Sequence, residues 1–159
     1  MRAEPRQRIS KHALPVWRFK AVIESVVIAL VVVGYGFISY FLQLPTSLLV
    51  FIIIVFVLGS LIHIFVVPNI RWKRWRYDVL ESEIDLQYGI IIVKRTLIPM
   101  NRVQHVDTEH GPLLRKYGLA AVTISTAATV HQIPALTHEV ADDLRDRIAS
   151  LAAVAEDDE

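Results

Sequence analysis

The sequence contains no cysteine, which excludes disulfide bonds, thiolate nucleophiles and zinc sites built on cysteine. It also has no G-x-S-x-G nucleophile elbow, no Walker phosphate-binding loop and no H-E-x-x-H pair. Catalytic triads need not be local, but the Ser, Thr and His residues show no spacing typical of one. The sequence therefore predicts a protein that is not an enzyme and that uses no cofactor and no metal.

Charge is almost missing from two long stretches in the first half of the chain. Residues 21–42 contain one charged residue, Glu24, and residues 47–67 contain a single ionisable group, His63. Each stretch has about the twenty apolar residues that cross a hydrocarbon core of roughly 30 Å. Apolar residues cover the whole circumference, and a helix satisfies its own backbone in lipid, so both stretches are predicted as transmembrane helices.

Between the two stretches, the sequence Q-L-P-T-S at 43–47 contains a proline and no Lys or Arg, which predicts a tight turn and hence a helical hairpin. A cleaved signal peptide would have a shorter apolar region and a small-residue cleavage site. The flanks of the hairpin are basic, with six Lys and Arg against one acid in residues 1–20, and four against none in 68–76. The positive-inside rule then places both termini in the cytoplasm.

Cations alternate with aromatic residues in R-W-K-R-W-R-Y at 71–77. This pattern suits binding to single-stranded nucleic acid, but it equally suits the interface between lipid and water. Because two spans precede it, we interpret it as a membrane-interface collar whose cations face lipid headgroups, with Tyr77 in the same aromatic belt. The predicted collar consists of Trp17, Arg18, Arg71, Trp72, Lys73, Arg74, Trp75 and Arg76. No nucleic-acid partner is expected, since residues 77–159 carry seven positive and fourteen negative charges.

Two ionisable residues lie inside the predicted spans. Glu24 follows Lys20 by four residues and His63 precedes Pro68 by five, so both lie roughly 6–8 Å below the cytoplasmic boundary. Intramembrane ionisable groups tend to pair or to face protein. We hypothesise that Glu24 and His63 meet across the hairpin or across a subunit interface; the alternative is that each extends separately to the headgroups.

Residues 77–155 are predicted to form one small domain of strands followed by a helix. Polarity patterns indicate strands over 77–82, 83–87, 119–126 and 131–133, and the β-branched run I-I-I-V at 90–93 is predicted to be a buried strand. Pro99 restricts 97–99 to a sheet edge, and Gly118 is expected to end a helical turn.

Thr137 is predicted to cap the C-terminal helix, whose apolar stripe is Val140, Leu144, Ile148 and Leu151. We expect residues 156–159 to be a frayed acidic tail.

The segment I-P-M-N-R-V-Q-H-V-D-T-E-H-G-P-L-L-R-K-Y-G-L-A-A-V-T-I-S-T-A, residues 98–127, resembles the bacterial PH-like domain of the membrane-flanked, YdbS-like family. The matching positions are Ile98-Pro99, Arg102-Val103-Gln104, Val106-Asp107, Gly111-Pro112-Leu113, Arg115, Gly118-Leu119 and Thr126-Ala127. The resemblance implies a bacterial inner-membrane protein with a PH-like barrel, in which two nearly orthogonal antiparallel sheets are capped by the C-terminal helix. Many relatives carry several copies of the domain, whereas this chain carries one, which implies a partner or an oligomer.

The motif residues Arg102, Gln104, Asp107 and Arg115 have two readings. They can hold the barrel together, with Asp107 paired to Arg102 or Arg115, or they can form a ligand or peptide site at the mouth of the barrel. Nearby, His105, Asp107 and Glu109 would share one face of a strand. Such residues can hold zinc, but three polar residues on a half-exposed strand are the ordinary case, and no metal is predicted.

Two functions remain open. The first is a membrane-anchored interaction module in an inner-membrane complex, assembling with a related multi-copy PH-like membrane protein or with itself through an exposed strand edge. The second is a protein that binds lipid or acts directly on the membrane in envelope stress or antimicrobial resistance. Membrane lipids are expected partners in both cases.

Overall fold

The two apolar stretches form two long helices in the structure, a computed structural model that describes residues 4–157. Helix α1 spans Ala13–Phe41, and the second helix begins at Thr46 after a turn in which Gln43 has a φ of 52°. Both helices are long and apolar enough to cross a membrane, and most of their apolar side chains are exposed. This confirms the predicted hairpin, although both helices extend further than the apolar stretches do.

The second helix changes its geometry shortly before Pro68. It runs as α2 (Thr46–Leu61), a π-helical stretch (Ile62–Val66) and α3 (Val67–Arg74). The N–H of Val67 donates to Ile62 O, five residues back. Proline has no N–H and its ring collides with the carbonyl four residues earlier, so a wider turn lets the helix continue through residue 68.

The first sheet joins strands from both sides of the hairpin. Its order is β1 (Gln7–Arg8), β2 (Arg76–Val79), β3 (Glu83–Tyr88) and β4 (Lys94–Pro99), all antiparallel. Gln7 pairs with Tyr77 and Arg8 with Arg76. The membrane hairpin is therefore an insertion between the first and second strands, and the sequence analysis did not anticipate a strand before it.

The second sheet has the order β5 (Val103–Glu109), β6 (Leu119–Thr126) and β7 (Val130–Thr137), again antiparallel. A 3-10 turn at Met100–Arg102 joins β4 to β5. Helix α4 (Pro112–Lys116) joins β5 to β6, and Gly118 follows it with a φ of 64°, which confirms the predicted left-handed end. Pro99 is the last residue of the edge strand β4, as expected.

Helix α5 (His138–Asp157) begins directly after Thr137 and packs on β5, β6 and the 3-10 turn. Its buried stripe is Ala141, Leu144, Ile148 and Ala152, whereas Val140 is exposed. The predicted stripe was one position off at both ends, because the small residues Ala141 and Ala152 are buried while Val140 is exposed and Leu151 is half-buried. The helix includes residues 156–157 of the predicted acidic tail, and residues 158–159 lie outside the described residues.

The run at 90–93 is not a buried strand. It forms the turn between β3 and β4, and the Ile91 side chain is among the most exposed of the apolar residues. Gly89, with a φ of 140°, starts this turn. The prediction was wrong because a run of four apolar residues shows no periodicity that separates a buried strand from an exposed turn.

Candidate functional site

A groove of about 660 Å³ opens where β4 and β5 diverge around the 3-10 turn. Each of these strands lies at the edge of its sheet. Leu97 and Pro99 line one side, Arg102 and Gln104 line the other, and residues 126–129 close the end. The groove is thus lined by residues of both edge strands, of the 3-10 turn and of the turn between β6 and β7.

Only part of the predicted mouth site lies in this groove. Arg102 and Gln104 line it, but Asp107 and Arg115 do not. All four side chains are exposed. Asp107 forms no ion pair with Arg102 or Arg115 among the described side chains, so the expected pairing is absent there. The reason is position: Asp107 lies in the second half of β5, and Arg115 lies on α4 beyond the end of that strand.

The structure instead contains an ion pair that the sequence analysis missed. The carboxylate of Asp85, with a side chain 6% exposed, accepts hydrogen bonds from Arg95 Nε at 3.0 Å and Arg95 Nη2 at 2.5 Å. These bonds raise the pKa of the Arg95 guanidinium. Asp85 pairs with Leu97 in the ladder, and Arg95 lies diagonally across from it on the same face. Only the register of β3 on β4 shows that these two residues are neighbours, and the spacing of residues in the sequence does not reveal that register.

A second ion pair ties the N-terminal segment to the same sheet. Arg76 Nη1 lies 3.2 Å from Glu4 Oε2. Pro5 and Ile9 in this segment are buried. The N-terminal segment is therefore a structural part of the PH-like domain rather than a free basic arm.

The collar residues after the second span divide into two groups. Trp72 is half-buried, and its Nε1 donates to Ile9 O at 3.2 Å while Arg8 lies over its ring. Arg74 donates to the carbonyls of Ile90 and Ile91. Lys73 and Arg71 are exposed. The collar cations thus include Arg74, whose side chain holds the domain together, as well as the exposed Lys73.

Trp75 and Tyr77 are core residues, 4% and 2% exposed, and not members of an aromatic belt. The Trp75 ring stacks on Tyr88 with centroids 5.9 Å apart. Burial raises the pKa of the Tyr77 hydroxyl, and the neighbouring carboxylate of Asp78 adds to the shift. The prediction failed for these two because strand β2 begins at Arg76, where alternate residues turn inward.

In the hairpin, the side chains of Glu24 and His63 are close. His63 Nε2 lies 2.9 Å from Glu24 Oε2, and Lys20 Nζ lies 3.9 Å from Glu24 Oε1. His63 belongs to the π-helical stretch. Near the same end, Arg18 Nη2 donates to Asn69 Oδ1 at 3.4 Å and lies over the Phe65 ring, while Trp17 is half-buried.

The acidic and imidazole side chains of β5 are spread along an exposed face. His105, Asp107 and Glu109 alternate along the strand, and Glu109 accepts a hydrogen bond from Gln132 Nε2 at 3.0 Å. Within the described residues, no group of three or more acidic or imidazole side chains is arranged to hold a metal ion.

Two antiparallel sheets, a C-terminal helix and a membrane hairpin together define the class of protein. The model of the family described as "Bacterial PH domain" matches residues 18–152, and the chain belongs to this family. It is 51% identical over 158 residues to the transmembrane protein YdbS of Bacillus subtilis (strain 168), with 99% of both chains covered. It is thus a membrane protein of the YdbS-like group.

A second relative is the transmembrane protein YdbT of the same organism. The identity is 24% over 79 residues, which is 50% of this chain but 16% of YdbT. No solved structure shows a significant match.

Proposed function

We propose that the protein is a membrane-anchored interaction module that assembles with a related, multi-copy PH-like membrane protein. YdbT is a candidate for this partner, because half of this chain matches only 16% of YdbT, which is therefore larger. The observation that carries this proposal is the groove between β4 and β5, each of which is an edge strand of its sheet. Its volume lies in the range of ligand sites, and unpaired strand edges recruit extended segments by adding a strand. Arg102 and Gln104 line the groove and supply the polar contacts.

The same proposal places the protein in the inner membrane with both termini in the cytoplasm. Ten Lys and Arg flank the hairpin, six before it and four after it, and the turn at 43–47 has none. The pairing of β1 with β2 supports this arrangement, because strands that pair must lie on the same side of the membrane. The domain acts by binding and not by catalysis, with membrane lipids as its surroundings.

The test is co-purification in mild detergent from cells that also express the larger relative, followed by native mass measurement. Leu97→Lys places a charge on an exposed residue in the groove wall. Leu80→Lys is a matched control, because Leu80 is 41% exposed and Leu97 43% exposed. We expect the partner to be recovered with the original chain and with Leu80→Lys, and several-fold less with Leu97→Lys.

Other outcomes separate the alternatives. Equal recovery with Leu97→Lys would remove the groove as the interface. A homo-oligomer without the partner would make the protein a self-assembling scaffold. A monomer that carries a specific lipid would support the lipid-handling function instead.

A further inference from the structure

The turn between β3 and β4 exposes four consecutive β-branched residues, Ile90–Ile91–Ile92–Val93, here called the isoleucine turn. Ile91 is 91% exposed and Ile92 is 74% exposed. Gly89 holds the turn tight, because its φ is 140° and a Cβ there would lie 2.0 Å from Ile92 O. A soluble domain gains nothing from apolar side chains fixed in water, so such a patch indicates a binding surface.

The isoleucine turn is fastened to the residues that follow the second span. Arg74 is the last residue of α3, and its Nη1 donates to Ile90 O and, at 3.2 Å, to Ile91 O. The next residue, Trp75, stacks on Tyr88 at the end of β3, with an angle of 21° between the rings. Two successive residues of the chain therefore hold both the tip and the base of this turn.

These contacts limit where the turn can lie. Arg74 comes six residues after Pro68, and the helix is continuous up to it, so at 1.5 Å per residue it lies roughly 9 Å along the helix from Pro68. The headgroup layer on each side of the hydrocarbon core is about 5–8 Å deep. Arg74 is thus only a few residues beyond the span, so the turn that its guanidinium binds is tethered close to the membrane surface.

We propose that the isoleucine turn inserts into the lipid interface and docks the PH-like domain on the membrane. Its apolar tip suits the boundary of the acyl chains, and the exposed cation Lys94, which directly follows the turn, suits anionic headgroups. This contact is separate from the groove between β4 and β5 and needs no protein partner.

The absence of cysteine makes the test direct, since each introduced cysteine is the single labelling site. Ile91→Cys carries an environment-sensitive nitrobenzoxadiazole dye in the full-length chain, placed in nanodiscs of phosphatidylethanolamine and phosphatidylglycerol. Leu80→Cys is the control, because Leu80 is also exposed and precedes β3, whereas the turn follows it. A strand of this length separates the two labels by roughly 20 Å.

We expect the label at position 91 to be quenched by lipids that carry a nitroxide near the headgroup, and its quenching constant with aqueous iodide to be several-fold smaller than that of the label at 80. Equal iodide quenching of both labels would overturn the proposal. Protection at 91 that appears only after the larger relative is added would also overturn it, by identifying a protein as the occupant.

A second pair of variants tests the fastening. Arg74→Gln removes the guanidinium that binds the turn, and Lys73→Gln removes the charge of the exposed residue that precedes it. With the label at 91, Arg74→Gln should raise iodide quenching several-fold, and Lys73→Gln should change it little. The same thermal midpoint in both variants shows that the domain is still folded. Unchanged quenching in folded Arg74→Gln would contradict the fastening.

Discussion

Gly89 sets the shape of the turn that presents the apolar tip. Its φ of 140° lies in a region that side-chain-bearing residues rarely adopt, and a Cβ would meet the Ile92 carbonyl. Asp85 and Arg95 act at the same scale, since one buried carboxylate and one guanidinium bridge β3 and β4. Single residues thus shape the turn between β3 and β4 and link its two strands.

Gly89→Ala is expected to destabilise the protein by about 1–3 kcal/mol, the usual cost of forcing a side chain into such a conformation. Thermal unfolding of the full chain in mild detergent measures the change. Gly111→Ala is the control, because an added Cβ there meets nothing within 4 Å and the φ is −69°. If both variants had the same midpoint, the turn would not have the geometry described here.

At the scale of the element, the hairpin combines an apolar surface with one polar contact. His63 Nε2 and Glu24 Oε2 are 2.9 Å apart, and His63 lies in the π-helical stretch before Pro68. We infer that this contact joins the two helices near one end of the hairpin. Away from water, such a contact is worth about 0.6–1.7 kcal/mol between membrane helices.

A double-mutant cycle tests the contact. Glu24→Leu and His63→Leu should each lower the unfolding midpoint in mild detergent, and the double variant should lose less than the sum of the two by about 0.6–1.7 kcal/mol. Glu24→Leu combined with Tyr40→Leu is the control, because Tyr40 is exposed near the opposite end of α1 and should add independently. If the destabilising effects of Glu24→Leu and His63→Leu simply added in the double variant, the two side chains would not interact.

The elements differ in how far their sequence specifies them. The spans follow from length and hydropathy, and α5 follows from its period and from the threonine that precedes it. The isoleucine turn does not follow from its sequence, because four β-branched residues suit a strand. The turn depends on the positive φ of Gly89, which the local sequence does not reveal. Of the predicted mouth residues, Arg102 and Gln104 face the groove, while the Asp85–Arg95 pair requires a register that no local pattern contains.

At the scale of the whole molecule, one folded unit is built from both sides of the hairpin. Residues 4–16 belong with residues 70–157, and residues 17–69 form the other unit. Ile9, which precedes the first span, is 2% exposed, and Ser10 N donates to Ala135 O of β7 at 3.0 Å. The N-terminal segment therefore contributes to the core of the PH-like domain.

Ile9→Ala is expected to destabilise the PH-like domain by about 2–4 kcal/mol, because the substitution leaves a cavity in its core. Limited proteolysis in native membranes should then cleave residues 70–157 faster than in the original chain. Ile23→Ala, at a half-exposed position on α1, should leave the cleavage rate unchanged. Equal rates for both variants would show that the N-terminal segment is dispensable.

The pairing of Gln7 with Tyr77 also requires that the segments before and after the two spans lie on the same side of the membrane. The two strands can meet only if an even number of crossings separates them. A chain that inserted one helix and stranded the other would keep β1 and β2 on opposite sides of the bilayer, with Ile9 and Tyr77 left without their core. Such a chain would expose apolar surface to proteases. The PH-like domain can therefore fold only in chains whose two helices have both crossed the membrane.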